Sequence, residues 1–283
     1  MTNASGVFSS TVDSLEGWLD AGLKALIVKT ATYKPRKGYD YPNAAVFNEG
    51  VVQAMGLPNP GYKKVALFVK EIKIKHPDIF VIASFAASDK KELQKMITFL
   101  GKYADALEFN ISCPHAEGLG SSVGYDFKLL GELCKAGKEY CEKPFGLKMP
   151  YYPTDKMLKS CIRASESADF YTIINSVGKA MVLGKKFGLS NRLGGLSGSA
   201  IKPLAIGQVY RTRGFTNKFI FGCGGIVDRN DVAEFLKAGA NAIQLGSGIN
   251  RYPTKKDFVN ETKAGFNHIL DDYFEKQGKE VWE

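Results

Sequence analysis

The sequence predicts a (β/α)8 barrel, an α/β fold, formed by a single domain that covers residues 1–283. Short apolar segments alternate with longer amphipathic segments along the chain, giving seven full strands and one fragment, each followed by a helix. Glycine-rich or polar residues follow many of the predicted strands. Strand–helix alternation at this count favours a closed barrel over an open doubly wound sheet.

The predicted strands are short apolar runs, which are typical of strands buried in a parallel sheet. The seven full strands are Leu23–Thr30, Phe80–Ala86, Ala106–Ile111, Phe145–Pro150, Phe170–Val177, Phe219–Ile226 and Ala242–Ile249. The fragment Asn3–Gly6 takes the place of the first strand and lacks most of an N-terminal half. The first strand of the barrel is therefore expected to be short.

The segments between the strands have the pattern of amphipathic helices, and Ser88 or Asp89 is placed to cap one of them. The predicted helices are Val12–Ala21, Lys63–Lys75, Lys90–Tyr103, Asp126–Cys141, Thr154–Ser167, Ile201–Arg213, Asp228–Ala238 and Lys255–Lys276. Two long segments, residues 31–62 and Gly178–Ser199, are predicted as loops, the first because it is rich in Gly, Pro and Tyr.

The composition is that of an ordinary globular protein, with 45% hydrophobic and 24% charged residues. No stretch of 18 apolar residues and no secretory leader is present, so a cytoplasmic protein without a membrane span is expected. The net charge of +9 comes from lysines spread over helical segments such as Lys70–Lys75. Solvated helix faces explain this pattern better than a nucleic-acid site. Five cysteines without a CxxC pair and three scattered histidines predict free thiols and no metal site.

The segment Ala106–His115 reads ALEFNISCPH, an apolar strand that ends in polar and nucleophilic residues. Chemistry in β/α barrels takes place at the C-terminal ends of the strands. Cys113 is therefore the candidate catalytic acid/base. A single cysteine is more often a buried structural thiol, but the SCPH context and the glycine-rich loop Glu117–Gly124 favour catalysis.

The last two strands end in glycine clusters, Gly222–Gly225 and Gly246–Gly248. Glycines at this end of a barrel let backbone N–H groups approach an anion, and the loops after strands seven and eight often bind phosphate. The segment Val227–Arg229 is expected to start a helix whose positive end points at that anion. The alternative is that both clusters are tight turns that close the barrel.

Two lysines and two asparagines end other strands: Lys29 followed by Thr30, Asn110 before Ser112, Lys148, and Asn175 followed by Ser176. A single lysine there could extend its ammonium to solvent. Four such residues at one barrel end instead predict a ligand with an anionic group, because a buried unpaired charge is costly. Asparagine amides provide the donors and acceptors that suit a planar imide or amide ring.

These residues belong to motifs that resemble the dihydroorotate dehydrogenase family, flavin barrels of pyrimidine biosynthesis. The motifs are ASG (4–6), KPR (34–36), MGLPNPG (55–61), NISCPH (110–115), GLKMP (146–150), NSVGKAM (175–181), GGLSGSAIKP (194–203), GCGGI (222–226) and QLGSG (244–248). The resemblance covers nearly the whole chain. Family members usually begin with a small β-hairpin, which is not expected here. SCPH and GGLSGSAIKP are also similar to the flavin domain of dihydropyrimidine dehydrogenases.

The resemblance implies roles for specific residues, two of which, Lys29 and Asn175, would contact both cofactor and substrate. FMN would be held by Ala4, Ser5, Gly6, Lys29, Thr30, Lys148, Asn175, Gly198, Gly224, Gly225, Gly246 and Ser247. The substrate would contact Lys29, Met55, Gly56, Leu57, Asn110, His115, Asn175 and Ser176. Lys148 would lie near the N1–C2 carbonyl of the flavin and stabilise the reduced anion. Cys113 would remove the C5 proton of (S)-dihydroorotate while C6 delivers hydride to the flavin, which yields orotate.

A cysteine at position 113 resembles the class 1 enzymes, whereas the membrane-associated class uses serine. The resemblance further implies a homodimer and a partner subunit that carries FAD and an iron–sulfur cluster. Gln53 and His115 differ from the residues that many class 1 enzymes have near the substrate. Three alternatives follow: another dihydropyrimidine as substrate, a cofactor-free phosphate-binding lyase that uses Lys148 as a Schiff base, or a non-catalytic FMN-binding subunit.

Overall fold

The computed structural model describes residues 1–112, 121–183 and 188–266. The strands are β1 (Thr2–Asn3), β2 (Ala25–Ala31), β3 (Ala44–Phe47), β4 (Gly50–Gln53), β5 (Phe80–Phe85), β6 (Ala106–Asn110), β7 (Phe145–Met149), β8 (Phe170–Ile173), β9 (Val177–Ala180), β10 (Gly194–Ser197), β11 (Phe219–Cys223) and β12 (Ala242–Leu245). The helices are α1 (Val12–Asp20), α2 (Tyr62–Lys75), α3 (Lys90–Leu100), α4 (Ser121–Tyr125), α5 (Phe127–Tyr140), α6 (Asp155–Ala164), α7 (Lys202–Arg213), α8 (Arg229–Lys237) and α9 (255–266).

Eight strands form the predicted parallel barrel sheet, in the order β1-β12-β11-β8-β7-β6-β5-β2. Each pair of neighbours in this order is parallel. The helices between the strands pack against one another and against the sheet. The (β/α)8 architecture and the short first strand are confirmed, and β1 has only two residues.

The side chain of Asn3 joins the two ends of this sheet. Its Nδ2 donates to the carbonyl oxygen of Ile27 at 2.7 Å, and its Oδ1 accepts from the backbone N–H of Ile27 at 2.9 Å. These are the two hydrogen bonds that a neighbouring strand would otherwise make. Asn3 is fully buried, so the bonds are shielded from water. A side-chain amide thus closes the barrel where β1 is too short to do so.

At the opposite end of the barrel, the same hydrogen-bond pattern recurs at the residues just before three strands. Asp105, Asp169 and Asn241 each accept a hydrogen bond from the backbone N–H at or near the start of the neighbouring strand, at Val81, Phe145 and Ile220. In return, the backbone N–H groups of Asp105, Asp169 and Asn241 donate to the carbonyl oxygens of Val81, Phe145 and Ile220, respectively. The pairing fixes the register of adjacent strands at their first residues.

The barrel interior is layered because inward-facing residues recur at every second position of a strand. The layer nearest the strand starts is apolar and contains Ile27, Ile82, Ala106 and Phe170, packed with Phe221. Two positions further along the same strands, the buried side chains are Lys29, Ser84, Glu108, Thr172 and Cys223. The interior therefore changes from apolar to polar towards the C-terminal ends of the strands.

The two segments predicted as loops contain four strands, which corrects that prediction. They form an antiparallel sheet in the order β3-β4-β10-β9. Its central pair joins residues far apart in sequence, with Gln53 opposite Gly195. Such pairing leaves no local signal, and the strands are only four residues long. The sheet has its own small core of Val52, Ala54 and Leu189. The predicted strand Phe170–Val177 accordingly ends at Ile173, and Val177 begins β9.

Cys134, Cys141 and Cys161 lie in or just after the outer helices and are buried free thiols, as predicted. Burial raises the pKa of Cys161 to about 12, so this thiol stays protonated at neutral pH. Within the described ranges, no group of three His, Cys, Asp or Glu side chains could hold a metal ion. None of the helices that the structure describes is long and apolar enough to cross a membrane.

Replacing Asn3 with alanine should destabilise the barrel by about 3 kcal/mol, because it leaves a buried N–H and a buried C=O of Ile27 without partners. The measurement is the free energy of unfolding from denaturant titration. Thr2→Val is the matched control, since among the described residues the Thr2 hydroxyl bonds only to the neighbouring Asn3 carbonyl. This variant should lose about 1 kcal/mol or less. Equal losses in both variants would contradict the role assigned to Asn3.

Candidate active site

A cavity of about 340 Å³ lies at the C-terminal ends of the barrel strands, where residues of β3, β4 and β10 also border it. Seventeen of the predicted site residues line it: Ala4, Ser5, Gly6, Lys29, Thr30, Met55, Gly56, Leu57, Asn110, Lys148, Asn175, Ser176, Gly198, Gly224, Gly225, Gly246 and Ser247. The other two, Cys113 and His115, lie outside the described residues. The motifs scattered along the sequence thus meet at one place.

A chain of amides and hydroxyls forms one wall of the cavity. The Oδ1 of Asn110 accepts from the Ser112 backbone N–H at 3.1 Å and from the Ser112 hydroxyl at 2.8 Å. Asn175 Nδ2 donates to the Ser112 hydroxyl at 2.7 Å, and its Oδ1 accepts from the Ser176 N–H at 2.8 Å. Asn110 Nδ2 donates to Thr30 Oγ1 at 3.2 Å. These bonds fix the orientation of both amides, so each presents defined polar atoms to a ligand.

Lys148 is buried in the barrel interior, with only 4% of its surface exposed. Its ammonium donates to Gln244 Oε1 at 3.2 Å and contacts Cys223 Sγ at 3.7 Å. Burial raises the pKa of the Cys223 thiol, and the positive charge of Lys148 acts in the opposite direction. Lys29, 6% exposed, also lines the cavity. Two buried cations give the cavity a strong preference for an anionic ligand.

The loop Met55–Leu57 is held in place by Asn59, which explains the MGLPNPG motif. Asn59 Oδ1 accepts from the backbone N–H groups of Thr32 and Gly61, while its Nδ2 donates to the carbonyl of Leu57 at 2.8 Å. The amide restrains a strained backbone, since Leu57 has a φ of +58°. Hydrogen bonds of Asn59 therefore hold this loop in a defined position in the cavity wall.

Glycines form the opposite end of the cavity. Gly224 and Gly225 have φ values of +115° and +85°. A Cβ on Gly225 would lie 2.7–2.8 Å from the Lys202 Cβ and backbone at the start of α7, so only glycine allows this close approach. On the other side, and counting only the described residues, a Cβ on Gly246 would meet Ala4 alone, at 3.7 Å, and one on Gly6 would meet no atom within 4 Å. Backbone along these glycines is thus accessible to a phosphate group.

The helix that begins after Val227 does not present free N–H donors to this cavity, contrary to the sequence prediction. Asp228 caps α8, and its carboxylate accepts from the N–H groups of Asn230 and Asp231. The Asp231 carboxylate accepts from the N–H groups of Val227 and Asp228. Because two carboxylates already satisfy these donors, the positive end of α8 is neutralised. A phosphate site in this cavity would therefore depend on the glycine loops and not on this helix.

Sequence reasoning missed several residues of the cavity. Gln244 and Cys223 touch Lys148. Gln53, which the resemblance already placed near the substrate, lines the cavity, and its Oε1 accepts from the Met55 N–H at 3.1 Å. Gln244 had a detectable signal, a polar residue two positions before Gly246 in an apolar strand. The apolar wall from β3 and β4, including Ala44, had none, because those strands were not predicted.

Gly225→Ala should lower the free energy of unfolding by about 3 kcal/mol, because it combines a positive φ with a backbone clash. The change should be measured by denaturant titration. Gly207→Ala is the matched control, since this glycine lies in α7 and a Cβ there meets no atom within 4 Å. The control should be more stable than the parent by up to about 1 kcal/mol. If Gly225→Ala is as stable as the parent, the close approach to Lys202 does not constrain this loop.

Comparison with known proteins agrees with this geometry. The dihydroorotate dehydrogenase family model matches residues 1–270. Curated relatives include three catalytic subunits of dihydroorotate dehydrogenase B (NAD(+)). The Methanothermobacter thermautotrophicus subunit is 36% identical over 250 residues, which are 87% of this chain and 82% of the relative. The Pyrococcus horikoshii subunit is 36% identical over 87% of this chain and 81% of its own. The Thermoplasma acidophilum subunit is 33% identical over 95% of this chain and 89% of its own length. This chain therefore belongs to the dihydroorotate dehydrogenase family.

Proposed function

We propose that this protein oxidises (S)-dihydroorotate to orotate in de novo pyrimidine biosynthesis, with FMN bound in the cavity. Membership of the family implies the reaction and a flavin. The observation that carries the proposal is that all seventeen predicted site residues which the structure describes line the same cavity, two of them buried lysines. An enzyme of this kind needs a site for a phosphate-bearing cofactor and for an anionic ring substrate.

The residues of the cavity fit FMN. Its phosphate would bind to the backbone along Gly198, Gly224–Gly225 and Gly246–Ser247, where the four glycines lack a Cβ and an anion can approach. Lys148 would contact the N1–C2 edge of the isoalloxazine ring, where its charge favours the reduced anion. Bound FMN supplies an acceptor for the hydride of the substrate. Ala4, Ser5 and Gly6 would complete the cofactor site.

The substrate would lie against the amide wall. Asn110 and Asn175 have fixed orientations, so they select a ring that offers complementary carbonyl and N–H groups. Lys29 would bind the carboxylate of dihydroorotate, and Met55–Leu57 would bound the ring. Cys113 follows Ser112 directly in sequence, and we propose that its thiolate takes the C5 proton while the C6–H bond breaks and its electron pair leaves with the hydride.

The oxidised cofactor must be regenerated by a further acceptor. The relatives are named catalytic subunits of NAD(+)-linked enzymes, so each belongs to an assembly of more than one kind of chain. We propose that this chain is likewise a catalytic subunit, forms a homodimer in the cytoplasm, and passes electrons to a partner that carries FAD and an iron–sulfur cluster.

Anaerobic addition of dihydroorotate should bleach the visible absorbance of the purified protein, because the bound flavin takes up two electrons. A stoichiometric spectral titration measures this half-reaction without any electron acceptor. Dihydrouracil, which lacks the carboxylate, is the control substrate and should reduce the flavin at least 100-fold more slowly, since it offers no anionic group to Lys29. Equal reduction by both compounds would favour a general dihydropyrimidine dehydrogenase. A protein without flavin absorbance would contradict the proposal.

Cys113→Ser should slow the reduction of the flavin by dihydroorotate by about 10²–10⁴-fold, the usual contribution of a general acid or base, while the flavin content stays at the parent value. The rate is measured by anaerobic stopped-flow absorbance. Cys141→Ser makes the same chemical change at a buried cysteine outside the cavity, and its rate should stay within about twofold of the parent. A Cys113→Ser variant as fast as the parent would exclude Cys113 as the base.

A further inference from the structure

Glu108 is a buried carboxylate to which the proposed mechanism assigns no task. It lies on β6, two positions before Asn110, and none of its surface is exposed. Its Oε2 accepts from Thr172 Oγ1 at 2.8 Å and from Gln244 Nε2 at 2.9 Å, and its Oε1 accepts from Ser5 Oγ at 3.4 Å. Within the described part of the chain, these hydrogen-bond partners are neutral side chains. A buried carboxylate held in this way is costly, so its charge needs a compensating cation.

That cation is Lys148, which is separated from Glu108 by the side chain of Gln244. The amide of Gln244 donates through Nε2 to Glu108 and accepts through Oε1 from the ammonium of Lys148 at 3.2 Å. Only this orientation of the amide is favourable. If it were reversed, the amide oxygen would face the carboxylate and the amide N–H groups would face the ammonium. The charge of Glu108 therefore determines which end of Gln244 is presented to Lys148.

The glutamine spacer changes what Lys148 can do. A carboxylate in direct contact would form an ion pair and cancel most of the field of the ammonium at the cavity wall. An amide oxygen satisfies one N–H of the ammonium but leaves its charge in place. Thr172 supports the arrangement, since its hydroxyl donates to Glu108 and accepts from Gln244 at 3.0 Å. Glu108, Gln244 and Thr172 together keep a negative charge near Lys148 without neutralising the charge of its ammonium.

We infer that Glu108 is a positioning residue that acts through Gln244 on Lys148 and thereby sets the reduction potential of the bound flavin. The inference rests on the proposed function, because it requires FMN in the cavity beside Lys148. The negative charge of Glu108 partly offsets the positive charge of the barrel interior. Gln244 separates Glu108 from Lys148, so the two side chains do not form an ion pair. Removing the carboxylate raises the potential, and moving it into contact with Lys148 lowers it.

The test is the two-electron midpoint potential of the bound FMN, measured without substrate by anaerobic reduction against a reference dye. Glu108→Gln keeps the size of the side chain and removes the charge. It should raise the equilibrium constant for reduction at least tenfold, which is about 30 mV for a two-electron couple. The double variant Glu108→Gln with Gln244→Glu keeps the net charge but moves the carboxylate to the position beside Lys148. It should lower the constant at least tenfold below that of the parent.

Thr172→Val is the matched control, because it removes two buried hydrogen bonds of the same cluster and leaves both charges and the Gln244–Lys148 contact intact. It should lose stability, yet its reduction constant should stay within about twofold of the parent. Opposite shifts in the single and double variants are not expected from structural damage, which would act in one direction. If Glu108→Gln does not fold, the isosteric double variant still tests the inference through the sign of its shift.

The inference is overturned if the folded, FMN-containing variants have the potential of the parent, or if both shift in the same direction. Either result, with a parent protein that dihydroorotate bleaches, leaves the proposed function intact. A parent protein that binds no FMN instead removes the proposed function and this inference together.

Discussion

The interior of the barrel holds charges where most β/α barrels pack branched apolar side chains. Lys29, Lys148 and Glu108 are each at least 94% buried. Such charges remain in a folded protein only where neighbours satisfy them, and here Gln244 and Thr172 both donate hydrogen bonds to Glu108. The apolar layer of β2, β5, β6 and β8 below them supplies stability that a polar interior does not. The apolar layer therefore stabilises the fold, while the polar layer forms the site.

Side-chain amides replace backbone partners at three places where the strand ladders stop. Asn3 bonds to both backbone groups of Ile27 and closes the barrel. Asn59 does the same for the loop that bounds the substrate region. Gln208 on α7 accepts from the Tyr152 N–H at 2.6 Å and donates to the Pro150 carbonyl at 2.9 Å, just beyond β7. Opening a cavity exposes backbone groups, and buried amides satisfy them without extending the sheet.

The barrel and part of the cavity lining were predictable from local signals, whereas Ala4–Gly6 and Met55–Leu57 were expected only from the resemblance to the family. Apolar runs mark the strands, and polar residues such as Lys148 and Asn110 mark where the cavity begins. The second sheet was not predictable, because its central pair depends on contact between Gln53 and Gly195, which are remote in sequence. The blocked N-terminus of α8 also escaped prediction. Asp228 reads as an ordinary helix cap, and the bonds from Val227 and Asp228 to Asp231 depend on the folded turn.

The placement of the polar residues on strands rather than loops has a consequence for the reaction. Asn110 lies opposite Lys148 in the register of β6 and β7, and Lys148 lies opposite Thr172 in that of β7 and β8. Backbone hydrogen bonds of the sheet therefore set the spacing of the groups assigned to the ring and the flavin. Hydride transfer depends steeply on the distance and alignment of donor and acceptor. Since the sheet holds Asn110 and Lys148, the spacing of these two side chains does not depend on the loops that carry the other site residues.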